Sequence, residues 1–284
     1  MKIRFEDVCY TYEKGTANEN IAVKNVSFCI EEPSFIALAG GTGSGKSTLI
    51  QMINALKLPE SGKIYYDGKT VGADKKMQRD IRCRAGMVFQ YPEYQFFEET
   101  VLKDTAFGPL NKGYDKKEAQ IKAKEALILA GIGEDKFRRS PFELSGGEKR
   151  RCAIAGVIAM EPEILILDEP TAGLDPAGKK QILDLIRSFY DEKGTCVIMV
   201  SHNMDEIAEY AERVMVMHDG SLIMDGDVHD IFSREEELKK AGLTLPQACA
   251  FARSLGIEGT VTLEEAACQI AAVFGRNSQT GARS

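Results

Sequence analysis

The sequence predicts an α/β fold. A parallel sheet carries the core, an antiparallel β-subdomain flanks it on the N-terminal side, a helical insertion interrupts it, and a small helical C-terminal subdomain follows. Three observations carry that expectation. Four short, all-apolar runs, Phe35-Ile36-Ala37-Leu38-Ala39, Met87-Val88-Phe89, Ile164-Leu165-Ile166-Leu167 and Cys196-Val197-Ile198-Met199-Val200, read as strands buried on both faces. Helical patterns lie between several of these runs, as right-handed βαβ units require. The first third also holds segments of alternating character, the pattern of half-buried strands.

Taken in order, Ile3 to Tyr12 and Ala22 to Ile30 alternate, and Lys63 to Tyr66 follows the turn Pro59-Glu60-Ser61-Gly62. From Tyr91 to Met160 β-branched residues become scarce, and Asp115 with Glu118 three residues on is a helix-start signature. The insertion is therefore placed at about 90–160, with Gln90 to about Ser140 as its most distinct part. The main unit is taken as 1–233. Beyond it the composition changes at Arg234-Glu235-Glu236-Glu237-Leu238-Lys239-Lys240. Thr244 with Gln247 and Thr262 with Glu265 each read as a capping box opening an apolar-periodic segment. The unit 234–284 is thus expected to be helical, with a frayed polar tail from Arg276 to Ser284.

Composition excludes several classes of function. Among 284 residues, 36 Lys+Arg stand against 43 Asp+Glu, a net charge of −7. An acidic chain lacks the electrostatic footprint for gripping phosphate backbones, so nucleic acid is not expected as its main partner. With 44% hydrophobic and 28% charged residues it reads as an ordinary folded protein. Its most apolar run, Cys152 to Met160, is too short for a membrane span. Glu6 and Asp7 stand where a signal peptide needs its apolar core, so a cytosolic location is expected. The seven cysteines (Cys9, Cys29, Cys83, Cys152, Cys196, Cys249, Cys268) are scattered and never spaced C-x-x-C. They are expected to be reduced small hydrophobes rather than disulfide partners or zinc ligands.

Three motifs carry chemistry. Gly40-Gly41-Thr42-Gly43-Ser44-Gly45-Lys46-Ser47-Thr48 matches the phosphate loop G-x-x-x-x-G-K-[ST] between a buried strand and a helix, which makes the core a P-loop NTPase core. Its glycines let backbone N–H groups curl round a β-phosphate at the positive end of the helix dipole. Lys46 would reach the β- and γ-phosphates and the Ser47 hydroxyl would ligate Mg²⁺. Ile164 to Leu167 runs into Asp168-Glu169-Pro170, two carboxylates at a strand end that point to opposite sides. Asp168 is thereby suited to the Mg²⁺ shell and Glu169 to the attacking water. Leu144-Ser145-Gly146-Gly147-Glu148 precedes a helix expected from Lys149 to Met160. Ser145 is its N-cap candidate, and the two glycines leave N–H groups open at a second anion-binding helix start.

Phosphate loop, Leu-Ser-Gly-Gly-Glu, Asp-Glu strand end, Leu174-Asp175 and Ser201-His202 follow one another in the order of the ATP-binding-cassette (ABC) ATPases, which the first 230 or so residues resemble. The resemblance implies that Tyr12 stacks on adenine and that Gln90 opens a mobile loop sensing Mg²⁺ and a membrane partner. It further implies that Asp175 belongs to a loop crossing a dimer interface, and that His202 contacts the γ-phosphate and orients Glu169. On residues alone, His202 reads equally as a structural histidine and Tyr12 as an edge-strand aromatic. In this family the signature around Ser145 faces the phosphate loop of a second subunit, so two ATP molecules are sandwiched in a head-to-tail dimer.

Gln90-Tyr91-Pro92-Glu93-Tyr94-Gln95-Phe96-Phe97-Glu98-Glu99-Thr100-Val101 is similar to the corresponding segment of energy-coupling-factor (ECF) transporter ATPases, the EcfA/CbiO group and its A-prime type. The loop filling Gly-Thr-Gly-Ser-Gly and Leu243-Thr244-Leu245-Pro246-Gln247 point the same way. This resemblance implies an ATPase at the cytoplasmic face of the cell membrane, paired with a second ATPase and gripping a transmembrane EcfT-type protein. A substrate-capturing membrane subunit for vitamins or transition-metal ions would complete the importer. A heterodimer fits the resemblance, while the intact motifs permit a homodimer too, and Phe96 and Phe97 read equally as a core pair or a docking surface. Gly41 and Thr42 replace the Pro-Asn common in the wider family, and Glu148 replaces the usual Gln. The alternatives are the ATPase of an ordinary ABC importer, or a soluble ABC-type switch in translation or DNA repair.

Overall fold

The computed structural model describes residues 1–72 and 74–280. Four strands, β1 (Ile3–Tyr12), β2 (Asn20–Ile30), β4 (Ser61–Tyr66) and β5 (Lys69–Thr70), form an antiparallel sheet in the order β2-β1-β4-β5. Six others, β3 (Phe35–Gly40), β6 (Ala85–Val88), β7 (Ile164–Asp168), β8 (Cys196–Val200), β9 (Arg213–His218) and β10 (Ser221–Asp227), form the second sheet in the order β10-β9-β3-β8-β7-β6. All of its pairings are parallel except β10 on β9.

Alternation along the central strands divides the interior in two. Phe35, Ala37, Ala39, Leu165 and Leu167 face the larger core, shared with α5 (Gly146–Ile158), α6 (Pro176–Lys193) and α7 (Met204–Tyr210). Ile36, Leu38, Ile164 and Ile166 face the other core, filled by α1 (Lys46–Ile53) and the apolar side of the antiparallel sheet. A strand covered on both faces has no polar alternation, which is why these four read as unbroken apolar runs.

Between β6 and β7 the chain is helical, with α2 (Lys75–Arg84) before β6 and α3 (Val101–Lys112), α4 (Lys116–Leu129) and α5 after it. Asp115 caps α4 as expected, accepting from the N–H groups of Lys117 and Glu118 at 2.8 and 2.9 Å. Helix α5 starts at Gly146, earlier than the Lys149 expected, because the Ser145 side chain caps it from directly outside the glycines.

The final segment comprises α8 (Val228–Ser233), α9 (Glu235–Lys240), α10 (Gln247–Ser254) and α11 (Leu263–Thr280). Leu238, Ala241, Leu243 and Val261 join the larger core, while Ala252, Ile257 and Ala266 form a small cluster of their own. The Thr262 box forms: Glu265 donates its N–H to the Thr262 hydroxyl at 3.2 Å and accepts from the Thr262 N–H at 3.2 Å. The Thr244 box does not. Helix α10 begins only after Pro246, and its first N–H, from Gln247, is satisfied by Asp205 of α7 at 2.7 Å. The tail expected to fray from Arg276 instead continues the backbone of α11 to Thr280, and 281–284 lie outside the described residues.

Candidate active site

The parallel order β3-β8-β7-β6 brings four strand ends side by side at one edge. Such carboxyl ends are where open α/β sheets hold ligands. The phosphate loop follows β3, His202 follows β8, Asp168 ends β7 with Glu169 directly after it, and Gln90 follows β6. Residues far apart in the chain thus converge without any of them leaving its local element.

Gly40 and Gly45 of the phosphate loop adopt φ +149° and +99°, and a Cβ there would lie 2.3 Å from the Met217 carbonyl oxygen and 2.1 Å from that of Ala22. Only glycine lets the loop pass between those two carbonyls. Lys46 Nζ donates to the carbonyls of Gly40 and Gly41, both at 2.8 Å, and burial pushes its ammonium below the usual lysine value. Asp168 is pushed up, by burial first, against the lowering influence of the neighbouring Ser47 hydroxyl. Tyr12, Asn20, Ala22 and the residues from Gly43 to Thr48 line a cleft of about 220 Å³ over this loop. The Tyr12 and Thr48 hydroxyls are hydrogen-bonded at 3.0 Å, and Lys57 Nζ lies 4.6 Å from the Tyr12 ring centroid. A glycine-rich loop at a helix start, one buried ammonium and a hydroxyl near a carboxylate fit a nucleoside triphosphate. Among the described residues no cluster of three or more His, Cys, Asp or Glu could cage a metal by itself. The Ser47–Asp168 pair instead suits a divalent ion shared with phosphates.

Glu169 stands between two of the expected residues. Gln90 Nε2 donates to Glu169 Oε2 at 2.9 Å, and His202 Nδ1 lies 3.5 Å from Glu169 Oε1. The Glu169 N–H is tied to the Val200 carbonyl at 3.1 Å, and its backbone sits at φ 49°, a left-handed conformation costly for a residue with a side chain. A carboxylate held from both sides near a phosphate site can orient and deprotonate water.

Sequence reasoning missed the residue that holds this edge together. The buried Glu206 carboxylate accepts from Thr171 (2.9 Å), Ser201 (3.2 Å), Asn203 (3.1 Å) and Lys179 (3.2 Å). It thereby fixes the segment carrying His202 to the one following Glu169. The signal was Asn203 with Glu206 three residues on, a helix-start pattern realised at α7. Strands β9 and β10 were missed as well, and they matter here, since the Gly220 N–H in their connecting turn donates to the Ser44 carbonyl at 3.1 Å.

The signature forms a full capping box. Ser145 Oγ accepts from the Glu148 N–H at 3.4 Å, while Glu148 Oε2 accepts from the Ser145 N–H at 3.0 Å and from its hydroxyl at 2.8 Å. Lys136 pairs with the same carboxylate. That ion pair, with the Ser145 bonds behind it, holds Glu148 at about 2, below the ordinary 4.5. The contribution of this charge to stability is therefore complete above pH 4.5 and lost as the pH falls toward about 2. Glu148→Gln is expected to flatten the acid limb of melting temperature against pH in that window; equal steepness in both proteins would refute the pairing.

Ser145, Gly146, Gly147, Glu148 and Asp175 are not brought to the phosphate loop. Asp175 caps α6, accepting from the Gly178 N–H at 3.1 Å, and among the described residues neither it nor Ser145 shares a hydrogen bond with the loop. The aromatic pair splits: Phe96 is 8% exposed in the larger core, while Phe97 is 60% exposed and packs edge-on against Phe107 at 4.6 Å. Asp104 accepts the N–H groups of Phe97 and Glu98, both at 3.1 Å, and so fixes the loop presenting Phe97. Burial pushes the Cys152 thiol up to about 12, and raises Cys196 and Cys249 too, as inert packing residues require. A larger hollow of about 630 Å³, lined by residues including Asp205, Gln247, Val261 and Leu263, lies at the C-terminal helices, away from this chemistry.

Residues 23–172 match the family model described as "ABC transporter". The chain is 47% identical to an energy-coupling factor transporter ATP-binding protein, EcfA2, of Caldanaerobacter subterraneus, over 94% of this chain and 95% of that one. It is 48% identical to EcfA2 of Clostridium perfringens, over 93% of each. Among solved structures, cbiO1 of Clostridium perfringens, described as part of the ABC transporter complex cbiONQ, superposes with a TM-score of 0.73 at 37% identity, covering 84% of this chain and 94% of that one. A dimeric, post-hydrolysis ATP-binding cassette, MJ0796 bound to ADP and Pi, superposes with a TM-score of 0.70 at 29% identity, covering 80% and 98%.

Proposed function

This chain belongs to the ABC transporter family, as the ATP-hydrolysing subunit of an ECF-type importer, and we propose that it works as one half of a head-to-tail pair of cassettes gripping a transmembrane EcfT-type protein. The observation that carries the reading is Glu169, held between Gln90 and His202 at the sheet edge that also bears the phosphate loop. Lys46 and the loop N–H groups hold the phosphates, and Tyr12 stacks on the base. Glu169 takes the proton from the attacking water, with His202 fixing its orientation. Ser47, Asp168 and Gln90 would hold a Mg²⁺ ion, which when bound would supply neutralisation of charge on the transferred phosphoryl group.

Ser145, Gly146, Gly147, Glu148 and Asp175 lie away from the chain's own loop, which supports their serving the nucleotide of the second cassette. That partner is a different ATPase chain in this reading. The segment 234–284 takes part in pairing, supported by its exposed apolar side chains, among them Phe251 and Leu263. Among the described residues no helix is long and apolar enough to cross a membrane, so attachment at the cytoplasmic face comes through the partner. The docking surface is the exposed Tyr94 and Phe97 after Gln90. A vitamin or a transition-metal ion, captured by a further membrane subunit, is the cargo.

A tagged chain extracted from membranes in mild detergent is expected to bring with it a second cassette and at least two transmembrane proteins. Recovery of the chain alone, with none in the membrane fraction, would overturn the assignment of partners.

A further inference from the structure

Arg150 is the largest fully buried side chain among the described residues, 2% exposed, and it projects from α5, the helix that the signature opens. Its Nε and Nη2 form a fork on Glu93, at 2.8 Å to Oε2 and 2.7 Å to Oε1. Its Nη1 donates to the carbonyls of Pro170 at 2.9 Å and Ala172 at 3.1 Å, and the guanidinium lies 5.5 Å from the Tyr91 ring centroid. One cation thus joins the segment following Gln90, the signature helix and the segment following Glu169. Packing alone does not call for an arginine here, because apolar residues of similar volume commonly replace a buried ion pair without loss of stability.

The ends of this clamp are unusual. Tyr91 and Glu169 both have left-handed backbones, at φ 54° and 49°, although neither is glycine. Such conformations persist only where the surroundings fix them. Tyr91 stands two residues before Glu93, and Glu169 directly before Pro170. Tyr91 also neighbours Tyr94, 84% exposed, with 6.2 Å between the two ring centroids. A continuous path therefore runs from an exposed aromatic surface through Tyr91, Glu93 and Arg150 to the backbone beside Glu169.

We propose that Arg150 is a positioning residue that couples the Tyr91–Gln95 surface to the nucleotide site, by holding the two segments and the signature helix as one body. The inference rests on the functional reading above for what docks on that surface, but the coupling itself is a property of this chain. A planar fork that satisfies a carboxylate and two carbonyls at once transmits a displacement that a single-point contact does not.

The test is amide hydrogen exchange on the full chain, with and without a non-hydrolysable ATP analogue. The parent is expected to change exchange both at the phosphate loop and across residues 91–97. In R150M/E93M, which keeps the buried volume apolar, the loop response remains while the response across 91–97 shrinks by about threefold or more. R150K, which cannot make the fork, is expected to lose the same response, and it decides the matter if the double variant does not fold. An undiminished response across 91–97 in the folded variants, or its absence in the parent, overturns the proposal. These outcomes need no membrane partner, so they stand apart from the purification that tests the assembly.

Discussion

Replacing Glu169 by glutamine is expected to leave ATP binding intact and to lower hydrolysis by about 10²–10⁴-fold, the range general-base catalysis supplies. Glutamine keeps the size of the side chain, and its carbonyl oxygen can still accept the bond from Gln90, so the geometry at the sheet edge is preserved. What disappears is the carboxylate proposed to take a proton from water. Nucleotide should then close the pair of cassettes and hold it closed, because the step that reopens it is blocked. Size-exclusion chromatography with ATP is expected to show the variant pair accumulating, while phosphate release falls. Hydrolysis at the parental rate would remove Glu169 from the role of base.

Lys46→Ala should act one step earlier. The Lys46 ammonium donates to the carbonyls of Gly40 and Gly41 and is desolvated enough to be pushed below its usual value. A phosphate oxygen arriving there replaces two neutral acceptors with a charged one, and charge-assisted hydrogen bonds are the stronger kind. Removing the side chain deletes that exchange and two bonds that shape the loop. Binding of a fluorescent ATP analogue is expected to weaken and hydrolysis to fall by about 10²–10³-fold, the scale of losing one stabilising donor. Tight binding of ATP by the alanine variant would refute the role given to Lys46. The two variants are separable, since one binds ATP as the parent does without turning it over and the other binds it more weakly.

Local features were legible wherever the sequence pattern and the tertiary environment agreed. Phe35 to Gly40 is a strand covered on both sides and reads as one; the glycines at 40, 43 and 45 announce the loop, and at 40 and 45 the nearby carbonyls leave no room for a Cβ. Val214 to Met217 is as apolar as the four runs read as buried strands and forms β9, but no chemical motif follows it to mark a strand end. Arg150 is illegible in the sequence for a different reason, and Glu206 shows there only as the third residue after the Asn203 cap. Their meaning comes from Glu93 and Pro170 for Arg150 and from Thr171 for Glu206, partners distant in sequence that the tertiary fold brings near. The Thr244–Gln247 pattern misled because Asp205, on another helix, satisfies the N–H group that a local cap would have served. Ser145 and Asp175 remain outside the site of their own chain, so a one-chain sequence could name them but could not say against what surface they work.

The walls of the phosphate loop have a consequence for how the protein is made. The loop's own residues are complete at Thr48, but the carbonyl of Met217 and the N–H of Gly220, against which it is folded, belong to the β9–β10 hairpin near the end of the cassette. Chains emerge from the ribosome N-terminal end first, and contacts of long sequence separation form late. A nascent chain therefore carries the whole nucleotide motif long before it has the pocket. Capture of ATP becomes one of the last events of biogenesis, reached only by a chain whose central sheet has already received its final parallel strand.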